Sequence, residues 1–174
     1  MPFDPFKFVR SFENKSPKLS HKLAMSFLGW MSPFNGHLKT QMSEWTDNKV
    51  QIVLKRSRGV RNHVGSIHAG AQFTLGETCA GLVIIRNFPF GSFRPLMSDV
   101  KVSYSKQARS EVVGECILYN EEIEKAKETI ARGEIPVIEL TTNIYGQVNG
   151  QTEIVSVVTT TWQVKPWGLV KSKI

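Results

Sequence analysis

At 174 residues, with 41% apolar and 21% charged side chains, the chain suits one domain whose core needs neither disulfides nor a metal. The two cysteines, Cys79 and Cys116, match no metal or redox spacing and fit a reducing compartment. The net charge of +7 admits a nucleic acid, a phosphorylated small ligand or simple solubility as its reason. The cations are scattered, densest at Lys55-Arg56-Ser57-Arg58 with Arg61 nearby, and no RNA-binding or zinc-finger pattern accompanies them, so no nucleic-acid partner is expected.

Residues 1–34 are rich in Phe and Pro and read as an N-terminal helical segment packed on a domain spanning 35–174. Ser16-Pro17 looks like an N-cap with proline at the first helical position. Leu19, Leu23, Phe27 and Trp30 follow at helical spacing, which predicts a helix over 17–31, stopped by Pro33 and covering an edge of the core. The early Asp4 and Glu13 and the short apolar run Met25–Met31 do not make a signal peptide, so a cytoplasmic location is expected.

A partial alternation from His37 to Trp45 predicts a strand, Thr46-Asp47-Asn48 a turn, and Val50, Ile52 and Leu54 a second strand. The polar, glycine-bearing stretch RSRGVRNHVGS is a loop. The run from Ile67 to Ile85 is too long and alanine-rich for a strand and reads as a buried helix. Its polar residues, with the charged Glu77 in mid-span, argue against a membrane span. Gly70, Gly76 and Gly81 weaken its intrinsic helix propensity, which suits a helix whose surroundings approach its backbone closely.

Beyond a loop over 87–95, strands are predicted around Val100–Ser105 and Glu111–Tyr119. NEEIEKAKETIAR, residues 120–132, reads as a short charged helix ended by Gly133. Two β-rich runs, 136–145 and 151–164, meet at Asn149-Gly150, a strong hairpin signal. The order gives an α+β fold: a curved antiparallel sheet wrapped around one long central helix, with an extra N-terminal helix.

The central helix carries the chemistry. An ionised carboxylate in an apolar site is strongly disfavoured, so Glu77 must find donors, take a proton or face a wet pocket. Arg86 or Lys101 could pair with it, which would make it structural; a reactive role is the sharper reading. Asn62 could orient a water or a carbonyl, or simply shape a turn. Gly65 eases the approach to the helix, and His68, Ala69 and Gly70 stand at the helix start, where unpaired N–H groups favour negative charge. Such parts could hydrolyse an activated ester, with those N–H groups holding the oxyanion and a carboxylate activating water or attacking.

Asn62-x-x-Gly65-x-x-His68-Ala69-Gly70 with an acid at Glu77 resembles the signature of hotdog-fold acyl-coenzyme A thioesterases of the phenylacetate-degradation type, normally N-x-x-G-x-x-H-G-G with an acid nine residues after the histidine. Ala69 departs from the first glycine, and Gly81 stands where some relatives carry a hydroxyl. The resemblance implies a homodimer or dimer of dimers whose sheets join edge to edge, with sites at the subunit interface. It implies Glu77 as general base or nucleophile, the N–H of Ala69 or Gly70 as oxyanion donor and Asn62 as a positioning group. Gly65 and His68 would shape the substrate site, and Arg58, Arg61, Lys106 and Arg109 are candidates for gripping coenzyme A phosphates. No cofactor is expected beyond the coenzyme A within the substrate. A non-catalytic acyl-ligand binder and a hotdog hydratase or dehydratase are the alternatives.

Overall fold

The hairpin signal Asn149-Gly150 sits in a two-residue turn with φ of 52° and 81°, the left-handed pair that a type I′ turn requires. It joins β5 (Val137–Val148) to β6 (Gln151–Pro166), which pair antiparallel from Val137↔Gln163 to Val148↔Gln151. Along β5, Ile138, Leu140, Thr142 and Ile144 are buried and alternate with more exposed residues, so one face of the sheet is turned to the core.

The structure is a computed structural model that describes residues 4–170. Around that hairpin it builds a six-stranded antiparallel sheet in the order β1-β2-β4-β5-β6-β3. The remaining strands are β1 (Gln41–Trp45), β2 (Lys49–Leu54), β3 (Phe93–Tyr104) and β4 (Val112–Ile117). The sheet curves around one helix, α4 (Ala69–Asn87). From Ala71 to Ile85, every residue of α4 is buried except Phe73 and Glu77. The small residues permit this wrapping: a Cβ on Gly76 would lie 2.5 Å from the Cβ and Cγ2 of Val158 on β6. Polar groups inside are paired. Thr142 Oγ1 donates to the Gly76 carbonyl at 2.9 Å, and Trp45 Nε1 donates to that of Leu82 at 3.3 Å. The charged segment after β4 is helix α5 (Asn120–Ala131), which keeps Ile123 and Ala126 against the fold.

The N-terminal segment departs from the sequence reading. It holds three helices rather than one: α1 (Pro5–Arg10), α2 (Pro17–Met31) and α3 (Pro33–Leu38). Each begins with proline at its first position, where no N–H is needed. Pro33 therefore opens a helix as well as ending one, and residues 37 and 38 are helical, so the first strand starts at Gln41. The other correction is β3, which begins at Phe93, inside the stretch read as a loop. It is an edge strand, where Pro95 costs little because the edge asks for fewer ladder donors.

Arg86 fastens the N-terminal helices to the core. Its side chain, 9% exposed, pairs with Glu13 and with Asp47, the latter at 2.7 Å, and its guanidinium lies 5.1 Å over the Trp45 ring. Arg10 of α1 donates to the Arg86 carbonyl at 3.1 Å, and Phe6 meets Trp45 edge-on at 5.9 Å.

Candidate functional site

The loop leading into α4 is organised by its own side chains. Asn62 Oδ1 accepts from the N–H of Val64 at 3.2 Å and of Ser66 at 3.0 Å, an Asx-type turn. Gly65 sits at φ +77°, a conformation open to glycine, and its carbonyl accepts from Arg56 Nε at 2.9 Å. His68 is the N-cap: its Nδ1 accepts from the Gly70 N–H at 3.0 Å. The carbonyl of Asn62's side chain and the N–H of Gly70 are thus both engaged within the loop. Among the described residues, the Asn62 amide group and the Ala69 N–H have no partner.

A second loop, residues 105–110, closes on the first. Ile67 N–H and Ser66 Oγ both donate to the Ala108 carbonyl, at 2.8 and 3.2 Å. Lys106 and Arg109 therefore stand on the segment that borders the helix entrance, exposed, with Lys106 paired to Glu153 and Arg109 bonded to Gln107 at 2.7 Å. Arg58 lies in a short 3-10 turn (Arg58–Val60), and Arg61 bridges backbone to Ile67 on the other side; both side chains are exposed. Val60 accepts from the His68 N–H at 2.7 Å, which ties this turn to the helix start.

Glu77 is half-buried two turns further along α4. Burial pushes its pKa above the ordinary 4.5, with a weaker opposing pull from the neighbouring Thr78 hydroxyl. The ion pair with Arg86 or Lys101 does not form. Arg86 is committed to Glu13 and Asp47, and among the described residues Glu77 has no charged partner. Gly70, Phe73 and Glu77 fall at i, i+3 and i+7, on the one stripe of the helix that the chain's own sheet leaves uncovered. Along a single helix, Ala69 and Glu77 are about 12 Å apart, at 1.5 Å per residue. One chain by itself therefore does not bring the acid to the amide of its own helix start.

Sequence reasoning passed over Tyr104. Its hydroxyl donates to the Ala69 carbonyl at 2.9 Å from the end of β3, and burial raises its pKa. It also passed over Gln72, whose Nε2 donates to Ile67 at 3.0 Å while Oε1 accepts from Ser156 Oγ at 2.8 Å. The Tyr104–Ala69 and Gln72–Ser156 contacts are long in sequence, so no local signal marks them; the Phe73–Glu77 spacing was visible and unused. Two clefts, of about 720 and 570 Å³, contain none of the predicted site residues. The larger is a seam between α1 and the end of α4, and its Arg86 is already spent on Glu13 and Asp47.

The family model described as a domain of unknown function (DUF4442) matches residues 20–164. The chain belongs to the DUF4442 family. No curated protein matches it. Among solved structures, this DUF4442 chain is similar to Pseudomonas aeruginosa PA5026, described as a probable thioesterase. They share 21% identity over 83% of this chain and 95% of that one, with a TM-score of 0.74. It is similar to the thioesterase HI1161 from Haemophilus influenzae at 15% identity, 86% and 94% coverage and a TM-score of 0.64. A mutant of the Staphylococcus aureus thioesterase SAV0944 aligns at 19% identity, with 78% and 100% coverage and a TM-score of 0.62. At these identities the likeness establishes the architecture: this DUF4442 member has the hotdog fold of thioesterase-like proteins. Among the described residues, no helix is long and apolar enough to cross a membrane.

Proposed function

We propose that this protein is an acyl-coenzyme A thioesterase working as a homodimer. One observation supports it above the others: the acid of α4 lies on the helix's only uncovered stripe, without an ion-pair partner among the described residues and with its pKa raised. A carboxylate so placed is expensive unless it is used. β3, an exposed edge strand of twelve residues, offers the ladder through which two sheets would join. Such a dimer would set the Glu77 of one protomer opposite the helix start of its partner.

In that arrangement the substrate carbonyl oxygen lies at the Ala69 N–H, which has no internal partner, and takes up negative charge there with the helix dipole behind it. Glu77 removes a proton from the water that attacks the carbonyl carbon, or attacks that carbon itself to form an anhydride that water then hydrolyses. On either route the C–S bond breaks and the thiolate of coenzyme A departs. The Asn62 amide group orients the water or the carbonyl. Arg58, Arg61, Lys106 and Arg109 offer positive charge to the phosphates of the leaving group.

The test is a panel of acyl-coenzyme A substrates followed with a thiol-reactive dye. Glu77→Gln keeps the shape and abolishes turnover; a variant as fast as the parent removes Glu77 from the mechanism. A second reading, an acyl-ligand binder without turnover, draws on the His68 ring holding the Gly70 N–H, which leaves one helix-start amide for an oxyanion. Tight acyl-coenzyme A binding without thiol release, in parent and Glu77→Gln alike, selects that reading.

A further inference from the structure

The corner between α2 and α3 presents large apolar side chains to solvent. Trp30 is 78% exposed, Phe34 68% and Met31 44%. The corner is rigid: a Cβ on Gly36 would stand 3.3 Å from the Gly29 carbonyl oxygen and 3.4 Å from its Cα, so the two helices touch backbone to backbone. Neither cleft described above is lined by these three residues. With most of their surface free, the two rings project outward instead of lining a groove. That shape suits insertion into a soft surface better than capture of a folded partner's knob.

The exposed charge along α2 and α3 and just outside their ends has one sign. Between Glu13 and Glu44 there is no acidic residue, and Lys15, Lys18, Lys22 and Lys39 are all exposed. The turn Arg58–Val60 packs against α3. It belongs to a second acid-free stretch, Asn48 to Gly76, that holds Lys55, Arg58 and Arg61 in exposed positions. Exposed rings at one end of a helix that carries lysines along its length, with arginines on the turn packed against α3, are the parts of an interfacial anchor, in which rings enter the headgroup boundary and cations meet anionic headgroups.

We propose that the α2–α3 pair lies on an anionic phospholipid surface, with Trp30, Met31 and Phe34 inserted at their corner and Lys18, Lys22 and Lys39 against the headgroups along the pair. The docking is peripheral and reversible, and it does not depend on the thioesterase reading.

Cosedimentation of the full chain with vesicles tests it. Phosphatidylcholine vesicles containing phosphatidylglycerol bind the protein, pure phosphatidylcholine vesicles bind it much less, and about 1 M salt, where the screening length falls to about 3 Å, releases it. Trp30→Ala with Phe34→Ala lowers the partition coefficient by about tenfold or more, and Lys18→Gln, Lys22→Gln and Lys39→Gln together do the same on phosphatidylglycerol vesicles. The changed side chains are exposed, so circular dichroism and melting temperature stay at the parent's values and separate lost docking from lost folding. Three results overturn the proposal: no binding to phosphatidylglycerol vesicles, equal binding to both vesicle types, or a Trp30/Phe34 double variant that binds like the parent. A shift of that double variant to a smaller sedimenting species, with no vesicle binding by the parent, would assign the corner to contact between copies instead.

Discussion

The packing of α4 onto β6 can be tested by adding one methyl group. In Gly76→Ala the new Cβ would lie 2.5 Å from the Cβ and Cγ2 of Val158 and 3.0 Å from its Cγ1. The Val158 Cβ is fixed to the backbone of a strand paired on both sides, so no rotamer change relieves the contact and helix and strand must part. Overpacking of this kind costs about 1–3 kcal/mol, and the contact places this case at the upper end. Alanine returns about 1 kcal/mol of helix propensity over glycine, which leaves a net loss of about 2 kcal/mol. For a chain of this size that is a fall of about 4–8 °C in melting temperature. Thermal unfolding by circular dichroism measures it, with Gly59→Ala as control: nothing stands within 4 Å of a Cβ there, and the backbone is not left-handed. The control should match the parent or gain up to about 1 kcal/mol. A Gly76→Ala protein melting within about 1 °C of the parent would refute the close approach of helix and strand.

Other outcomes follow from the same geometry. Glu77 has a pKa raised by burial, so the folded state holds its proton more tightly than the unfolded chain. Its contribution to stability is complete below the unfolded pKa and is lost as pH rises through the folded one; Glu77→Gln should melt higher than the parent at neutral pH and lack that pH-dependent step. Thioesterase turnover, needing the carboxylate, should rise with pH to a midpoint above 4.5. Ser156→Ala should cost about 1–3 kcal/mol by stranding the Gln72 carbonyl, and adding Gln72→Leu should cost less than the two single losses summed, as a urea double-mutant cycle would show. Burial pushes the Cys116 thiol up to about 12 and that of Cys79 well above its usual value. Both should react with Ellman's reagent only after unfolding, and equal rates in native and denaturant-treated protein would contradict their burial.

Much of the architecture was legible because it rests on local rules. Ser16-Pro17 marked the start of α2, the small-residue run marked α4, and Asn149-Gly150 marked the turn between β5 and β6. The misreadings also have local causes. Asp4-Pro5 and Ser32-Pro33 repeat the signature of Ser16-Pro17, but a proline that follows a helix reads as a stop as readily as it reads as the start of the next one. Pro95 hid the beginning of β3 because a proline suggests a loop unless the strand is known to lie at an edge, and edge position belongs to the whole sheet. At the candidate site, the sequence brought Asn62, Gly65, His68, Ala69 and Glu77 into view by spacing. It could not tell that the Asn62 carbonyl and the Gly70 N–H are engaged within the loop, nor that Tyr104 reaches Ala69. Those facts depend on side-chain directions and on strands remote in the chain. The choice of Glu13 and Asp47 as partners for Arg86 is of the same kind.

The strand order has a consequence for synthesis. β6 lies between β5 and β3, so β3, made long before it, has no neighbour within the sheet until β6 is translated. Helix α4 emerges earlier still, and its greasy surface has only β1, β2 and, at its last turn, the N-terminal segment to lean on, while more than half of its eventual wrapping is unmade. The nascent chain must therefore keep an apolar helix from wandering until the tight Asn149-Gly150 turn folds the last strand back. Ribosome-bound intermediates halted before residue 151 should be a preferred substrate for holdase chaperones, and those extended past residue 166 should escape them.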